Sequence, residues 1–139
     1  MSNVESTSFQ FTGFQILESH IVRQEDGRKT VNLNLSFNPR GIVDKLNKTY
    51  KIYLGVQIED PEKLFVANFE MVGNFSFSDI PENDNQNSLF YINAPAILFP
   101  YLRAYISTIT TLSGKETITL PTLNLTSLGS ILKENTKIV

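Results

Sequence analysis

Ala94-Pro95-Ala96-Ile97-Leu98-Phe99-Pro100-Tyr101-Leu102-Arg103 opens a long stretch whose apolar residues repeat with a helical period, in a chain whose first half repeats with the period of strands. Leu98, Leu102, Tyr105, Ile109 and Leu112 recur at alternating steps of four and three, a narrow, heptad-like stripe with Ser107, Thr108 and Thr111 largely outside it. Propensity pulls the other way. Ile106-Ser107-Thr108-Ile109-Thr110-Thr111 is crowded with β-branched residues, and Pro100 must sit in a first turn or kink the helix, so local preference alone leaves helix and strand nearly even. The periodicity argues for one long helix. A stripe this narrow on a helix that also covers a sheet leaves apolar area for a second partner. Leu98, Leu102, Tyr105, Ile109 and Leu112 are therefore expected at an oligomer interface.

Upstream, Val31, Leu33, Leu35 and Phe37 alternate with Asn32, Asn34 and Ser36, the pattern of a half-buried antiparallel strand. Tyr50, Ile52, Leu54, Val56 and Ile58 alternate in the same way up to Glu59-Asp60-Pro61-Glu62-Lys63, a turn signal, after which Phe65, Ala67, Phe69 and Met71 resume the pattern. Residues 49–78 read as a hairpin. Phe9 to Val22 reads as a long first strand bulged at Gly13, where the missing Cβ permits irregular backbone. The polar stretch 81–87 reads as a solvated loop. Downstream of the helix the chain turns at Ser113-Gly114, crosses a loop carrying Ile118, Leu120, Leu123 and Leu125, and ends in a short helix that Ser127 could cap, with Leu128, Ile131 and Leu132 on one side. The expected fold is α+β: a four-stranded antiparallel sheet followed by a long helix, a connecting loop and a short C-terminal helix, in one domain spanning 1–139.

At 139 residues such a chain buries roughly 70% of its extended surface on folding, enough for a core without staples. There is no cysteine, so disulfides and thiolate chemistry are excluded, which fits a reducing compartment. The start, Met1-Ser2-Asn3-Val4-Glu5, has neither the basic nor the apolar region of a signal peptide, and no apolar run approaches the roughly 18 residues of a membrane span. A cytoplasmic protein without membrane insertion is expected. Twelve Lys and Arg against fourteen Asp and Glu, scattered singly, give no basic stripe for nucleic acid.

Catalytic chemistry is poorly provided for. His20 is the one histidine, so no two-histidine zinc site can be built within one chain, and a Ser-His-acid triad would have to use this residue. Glu18 and His20 would share a strand face and could chelate a metal with a third ligand, but an ordinary exposed pair is the simpler reading. Glu59, Asp60 and Glu62 flank a proline turn and read as solvated. Ser113-Gly114-Lys115-Glu116 lacks the first glycine and the hydroxyl of a phosphate loop. The triplets beginning at Asn47, Asn74 and Asn124 fit the glycosylation pattern by chance in a chain that never enters a secretory lumen. No enzyme activity, cofactor or metal is expected.

The segment Ile97-Leu98-Phe99-Pro100-Tyr101, with Arg103 and Ile106, resembles the start of the long helix of SecB-like export chaperones. Pro121 with Leu123-Asn124-Leu125 resembles that family's Pro-x-Leu-Asn-Leu in the connecting loop, and Phe11 to Ile21 and Val31 to Leu35 look like its first two strands. The resemblance implies a homotetramer, a dimer of dimers, that holds unfolded or precursor polypeptides in apolar grooves between sheet and loop without ATP. By comparison with the family the groove falls to Leu33, Leu35, Ile118, Leu120, Leu123, Leu125, Leu128 and Leu132, although Leu33 and Leu35 read equally well as core beneath the helix. The family's face for the translocation motor SecA maps to Glu18, His20, Gln24 and either Asn68 or Glu70. His20 and Gln24 stand there in place of acids, and Lys133 to Val139 lacks the family's acidic tail, so weak motor binding is expected. The stretch between Tyr101 and Leu123 is a few residues longer than the family's, the extra length falling around Lys115 to Thr119. A chaperone dedicated to one partner such as an antitoxin, and a non-chaperone α+β ligand-binding domain, are the alternatives.

Overall fold

A computed structural model describes residues 9–25, 32–78, 89–114 and 116–139. The stretches 1–8 and 81–87, Val31 of the expected second strand and Lys115 after the Ser113-Gly114 turn lie outside the described residues.

Four strands form in sequence order: β1 (Phe9–Arg23), β2 (Asn34–Asp44), β3 (Thr49–Glu59) and β4 (Phe65–Phe77). All pair antiparallel, β1 with β4, β4 with β3 and β3 with β2. A fifth strand that the sequence did not announce, β5 (Thr136–Ile138), runs parallel to β2, giving the order β1-β4-β3-β2-β5. Its three residues are too few for a periodic signal. The expected second strand also shifts: its ladder starts at Asn34, after Leu33, and continues through Pro39 to Asp44. Pro39 is tolerated there because its missing N–H falls on the outer side of the strand, away from β3. Register slips in β1 between Phe11 and Gly13 and again between Ile16 and Glu18. Gly13 takes a φ of 142°, a conformation that glycine adopts without penalty.

The hairpin turn between β3 and β4 corrects one expectation. Asp60 is buried, and its carboxylate accepts from the Phe65 N–H at 2.8 Å while its carbonyl accepts from the Lys63 N–H at 3.0 Å. It braces the turn from inside instead of being solvated.

One face of the sheet is apolar and covered. Tyr50, Ile52, Leu54, Val56 and Ile58 of β3 and Phe65, Ala67, Phe69, Met71 and Phe75 of β4 are buried beneath α1 (Ala94–Ser113), which is preceded by one wide helical turn at Leu89–Asn93. Helix wins over strand here because Leu98, Leu102 and Ile106 are all fully buried on the sheet side, a gain that local propensity does not include. Gly73 permits the close seat: a Cβ there would lie 2.2 Å from a Leu98 methyl. Burial pushes the Tyr50 phenol far above its usual range, so it stays protonated and donates to the Phe90 carbonyl at 3.1 Å. Arg23 joins the far ends of β1 and α1, donating to the carbonyls of Thr110 at 3.0 Å and Glu116 at 3.3 Å with its guanidinium 5.0 Å from the Phe65 ring.

After α1, residues 116–124 lie along the helix as extended chain, and α2 (Leu125–Glu134) follows. The α2 cap is Asn124, three residues before Ser127, the residue expected to cap it. The Asn124 side chain accepts from the N–H groups of Thr126 at 3.1 Å and Ser127 at 3.3 Å. This assigns a physical role to the central residue of Leu123-Asn124-Leu125.

Candidate functional site

Two surfaces gather the residues singled out from sequence. On the covered side, the connecting segment is pinned to α1 by polar contacts: Arg103 Nε donates to the Leu120 carbonyl at 2.8 Å, Ser107 to the Ile118 carbonyl at 3.3 Å, and the Ile118 N–H donates to Thr110 Oγ1 at 2.9 Å. Held in this way, Ile118 and Leu120 turn inward and are buried, as are Leu128 and Leu132 on α2. These four were expected on a groove wall, and that expectation is corrected: their surface is spent on the chain's own core. Leu33, Leu35, Leu123 and Leu125 are only half-buried. Phe37, missed in the sequence reading, joins them: it follows Leu35 on the same face of β2, half-buried, with its ring 6.3 Å from that of Phe99. Its place in the Leu33-Leu35-Phe37 alternation was the available signal.

The helix stripe needs the same correction. Leu98 and Leu102 have no surface for a second chain, Tyr105 and Ile109 are half-buried, and Leu112 is 82% exposed. The outward stripe lies one step round the helix, at Ile97, Tyr101, Ala104 and Thr108. Tyr101 stacks over Phe14 and Phe11 of β1, ring centroids 4.8 and 5.6 Å apart, and the Tyr105 hydroxyl hydrogen-bonds Ser19. Phe14, Leu17, Ile97 and Tyr101 form an exposed apolar band along β1, whose outer edge has no strand beside it among the described residues.

The open face of the sheet is polar. Glu18 lies directly across from Glu70, and His20 across from Asn68, so the register brings Glu18 and His20 of the mapped motor face together with both candidates for its third acidic position. Gln24 sits just beyond the strand, its N–H donating to the Leu64 carbonyl at 2.8 Å. Glu18, Asn68 and Glu70 line a shallow depression of about 300 Å³ with Ser36, Asn38 and Gln57. Glu70 is engaged by Arg40 in an ion pair, and Arg40 also lies 5.5 Å from the centre of the Tyr53 ring. The face therefore carries a cation that sequence alone did not place there.

The family described as preprotein translocase subunit SecB matches residues 10–131, from β1 to within α2. The chain belongs to the SecB family. A protein-export protein SecB of Ruegeria sp. (strain TM1040) is 33% identical over 94 residues, 68% of this chain. That match spans about half, 51%, of the relative's length. Among solved structures, a Mycobacterium tuberculosis SecB-like chaperone in complex with a ChAD peptide from the HigA1 antitoxin superposes with a TM-score of 0.68 at 16% identity, covering 83% of this chain and 90% of that one. A protein of unknown function from Streptococcus agalactiae gives a TM-score of 0.48 at 13% identity over 85% of this chain and all of that one. The SecB-like fold thus extends over the sheet, α1 and α2. Among the described residues no helix is long and apolar enough to cross a membrane.

Proposed function

We propose that this SecB-family protein is an ATP-independent holdase that keeps unfolded polypeptides competent for export or transfer. The observation that carries the reading is the half-buried apolar row Leu33, Leu35 and Phe37 on β2, with Leu123 and Leu125 likewise half-buried where the connecting segment meets α2. Burial at roughly 25 cal/mol per Å² makes such a row a sequence-tolerant grip for apolar client segments. The protein works in the cytoplasm as a homotetramer, and the exposed residues Phe14, Leu17, Ile97 and Tyr101, with the outer edge of β1, supply the contact between copies.

In light scattering the protein should run as a tetramer. At substoichiometric amounts it should delay aggregation of a slowly refolding client, equally with and without ATP, and still do so in high salt. A monomer that fails to protect several unrelated clients would remove the reading. Dedication to one partner is the second reading, favoured by the open face, where His20 and Gln24 replace acids and Arg40 engages Glu70, leaving little negative charge for a basic motor surface. Antitoxin binding by the structural neighbour is consistent with it. Tight binding to SecA in calorimetry would refute it.

A further inference from the structure

The two lateral edges of the antiparallel sheet differ: among the described residues no strand flanks β1 on its outer side, whereas β2 is partly covered by β5. Because N–H and C=O of one residue point the same way in an antiparallel ladder, the residues of β2 that face away from β3 are Leu35, Phe37, Pro39, Gly41 and Val43. The segment after α2 engages the last two. The Gly41 N–H donates to the Asn135 carbonyl at 3.2 Å, and the Val139 N–H donates to the Val43 carbonyl at 2.8 Å. The Lys45 N–H closes the ladder on the Val139 carbonyl at 3.1 Å. Pro39 has no N–H to offer, and the Asn135 side-chain amide reaches its carbonyl at 3.4 Å. Between this covered end and Leu33, only Leu35 and Phe37 present a full donor and acceptor outward, too short a run for a stable added strand.

We propose that Thr136–Val139 is a built-in competitor for the β2 edge, a short strand that an extended, β-branched or apolar client segment displaces when it pairs with β2. The proposal rests on the holdase reading above and concerns how its groove is regulated. Four observations support it. The residues that present outward backbone are the same ones whose side chains line the groove side, Leu35 and Phe37, so edge and groove are continuous. The segment Thr-Lys-Ile-Val has the β-branched and apolar composition of a strand that such an edge accepts. Its outer part is held by little except backbone pairing, since Lys137 is exposed, Ile138 is 51% exposed and Val139 67%. Thr136 by contrast is anchored: its hydroxyl donates to the Leu132 carbonyl at 2.6 Å, and it fills the space that a Cβ on Gly41 would need, 2.7 Å away. The anchor at Thr136 and the loosely held residues beyond it make a hinge and a flap. Strand addition trades one set of backbone hydrogen bonds for an equivalent set and extends the usable edge from Leu35 to Lys45.

The test compares client affinity when the flap is removed and when it is locked. Deleting Lys137–Val139 keeps the Thr136 anchor. The pair Ile42→Cys with Lys137→Cys joins register partners, and the chain has no other cysteine. Binding of fluorescently labelled, permanently unfolded carboxymethylated α-lactalbumin is followed by anisotropy, with thermal melts to confirm folding. If the edge is open about 10–30% of the time, deletion should tighten binding about three- to tenfold. The oxidised pair should bind more weakly than wild type and recover on reduction. Wild-type binding with affinity unchanged in both variants, or weakened by deletion in a folded protein, overturns the competitor. Absence of binding by every form, wild type included, overturns the holdase reading itself and the competitor with it.

Discussion

The two long sides of α1 both carry large apolar residues and behave oppositely. Leu98, Leu102 and Ile106 are fully buried against the sheet, while Ile97, Tyr101, Ala104 and Thr108, one step round the same helix, face outward. Ala104 and Thr108 make the outward stripe the less apolar of the two, yet Ile97 and Tyr101 on it are as large as the buried leucines, so side-chain size does not separate them. Gly73 favours the observed rotation: the missing side chain on β4 leaves the seat that Leu98 fills. Interior position is decided by the partner strand, and the outward stripe stays exposed.

The contrast is broken most directly by cutting a side chain on each stripe. Leu102→Ala should lower unfolding free energy by about 2–5 kcal/mol in chemical denaturation, because a fully buried leucine leaves a cavity. Ile97→Lys should shift protomer stability by only about 0.5 kcal/mol while lowering the assembled mass in light scattering. A Lys at Leu102 would unfold the protomer instead of dividing an assembly. Equal stability costs at Leu102 and Ile97 would show that the two stripes are energetically one.

The same contrast explains what was legible beforehand. The β3–β4 hairpin and the long helix were readable because their periods persist over ten residues or more, and the Gly13 bulge because a lone glycine in an apolar strand has few other uses. The rotation of α1 was not readable, since a heptad-like stripe facing a sheet and one facing another helix have the same period. Ile118, Leu120, Leu128 and Leu132 were placed on a groove for a related reason: an apolar residue in a loop looks exposed until its carbonyls are seen bound to Arg103 and Ser107. β5 was unreadable because three residues carry no period and their pairing depends on a strand ninety residues away. On the open face, the Glu18–Glu70 neighbourhood follows from strand register, which the second bulge in β1 shifts by one residue.

Away from the packed interface, local polar devices replace burial, and their loss should cost less. Asn124→Ala removes the acceptor for two N–H groups at the start of α2 and should cost about 1 kcal/mol, with Asn124→Asp close to wild type. Because Leu123 and Leu125 flank the cap, client affinity should fall along with stability in the alanine variant and recover in the aspartate one. A stability loss as large as that of Leu102→Ala would mean that the cap organises the core and not just the helix end.

The smallest expected effect lies in the β2–β3 turn, at the fully exposed end of the comparison. Asp44 accepts from the Asn47 backbone N–H at 3.0 Å and from its side-chain amide at 2.9 Å, and the backbone bond chiefly, followed by the side-chain one, holds the carboxyl below its ordinary value of 3.8. A carboxyl whose pKa is lower in the folded state binds its proton less readily there than in the unfolded chain. Its contribution is therefore present above pH 3.8 and is lost as the pH falls through the lowered folded value. Asp44→Asn should melt slightly below wild type at neutral pH, and the gap should close on acidification through that window. A gap that persists unchanged in acid would show that the turn depends on the shape of the side chain at 44 and not on its charge.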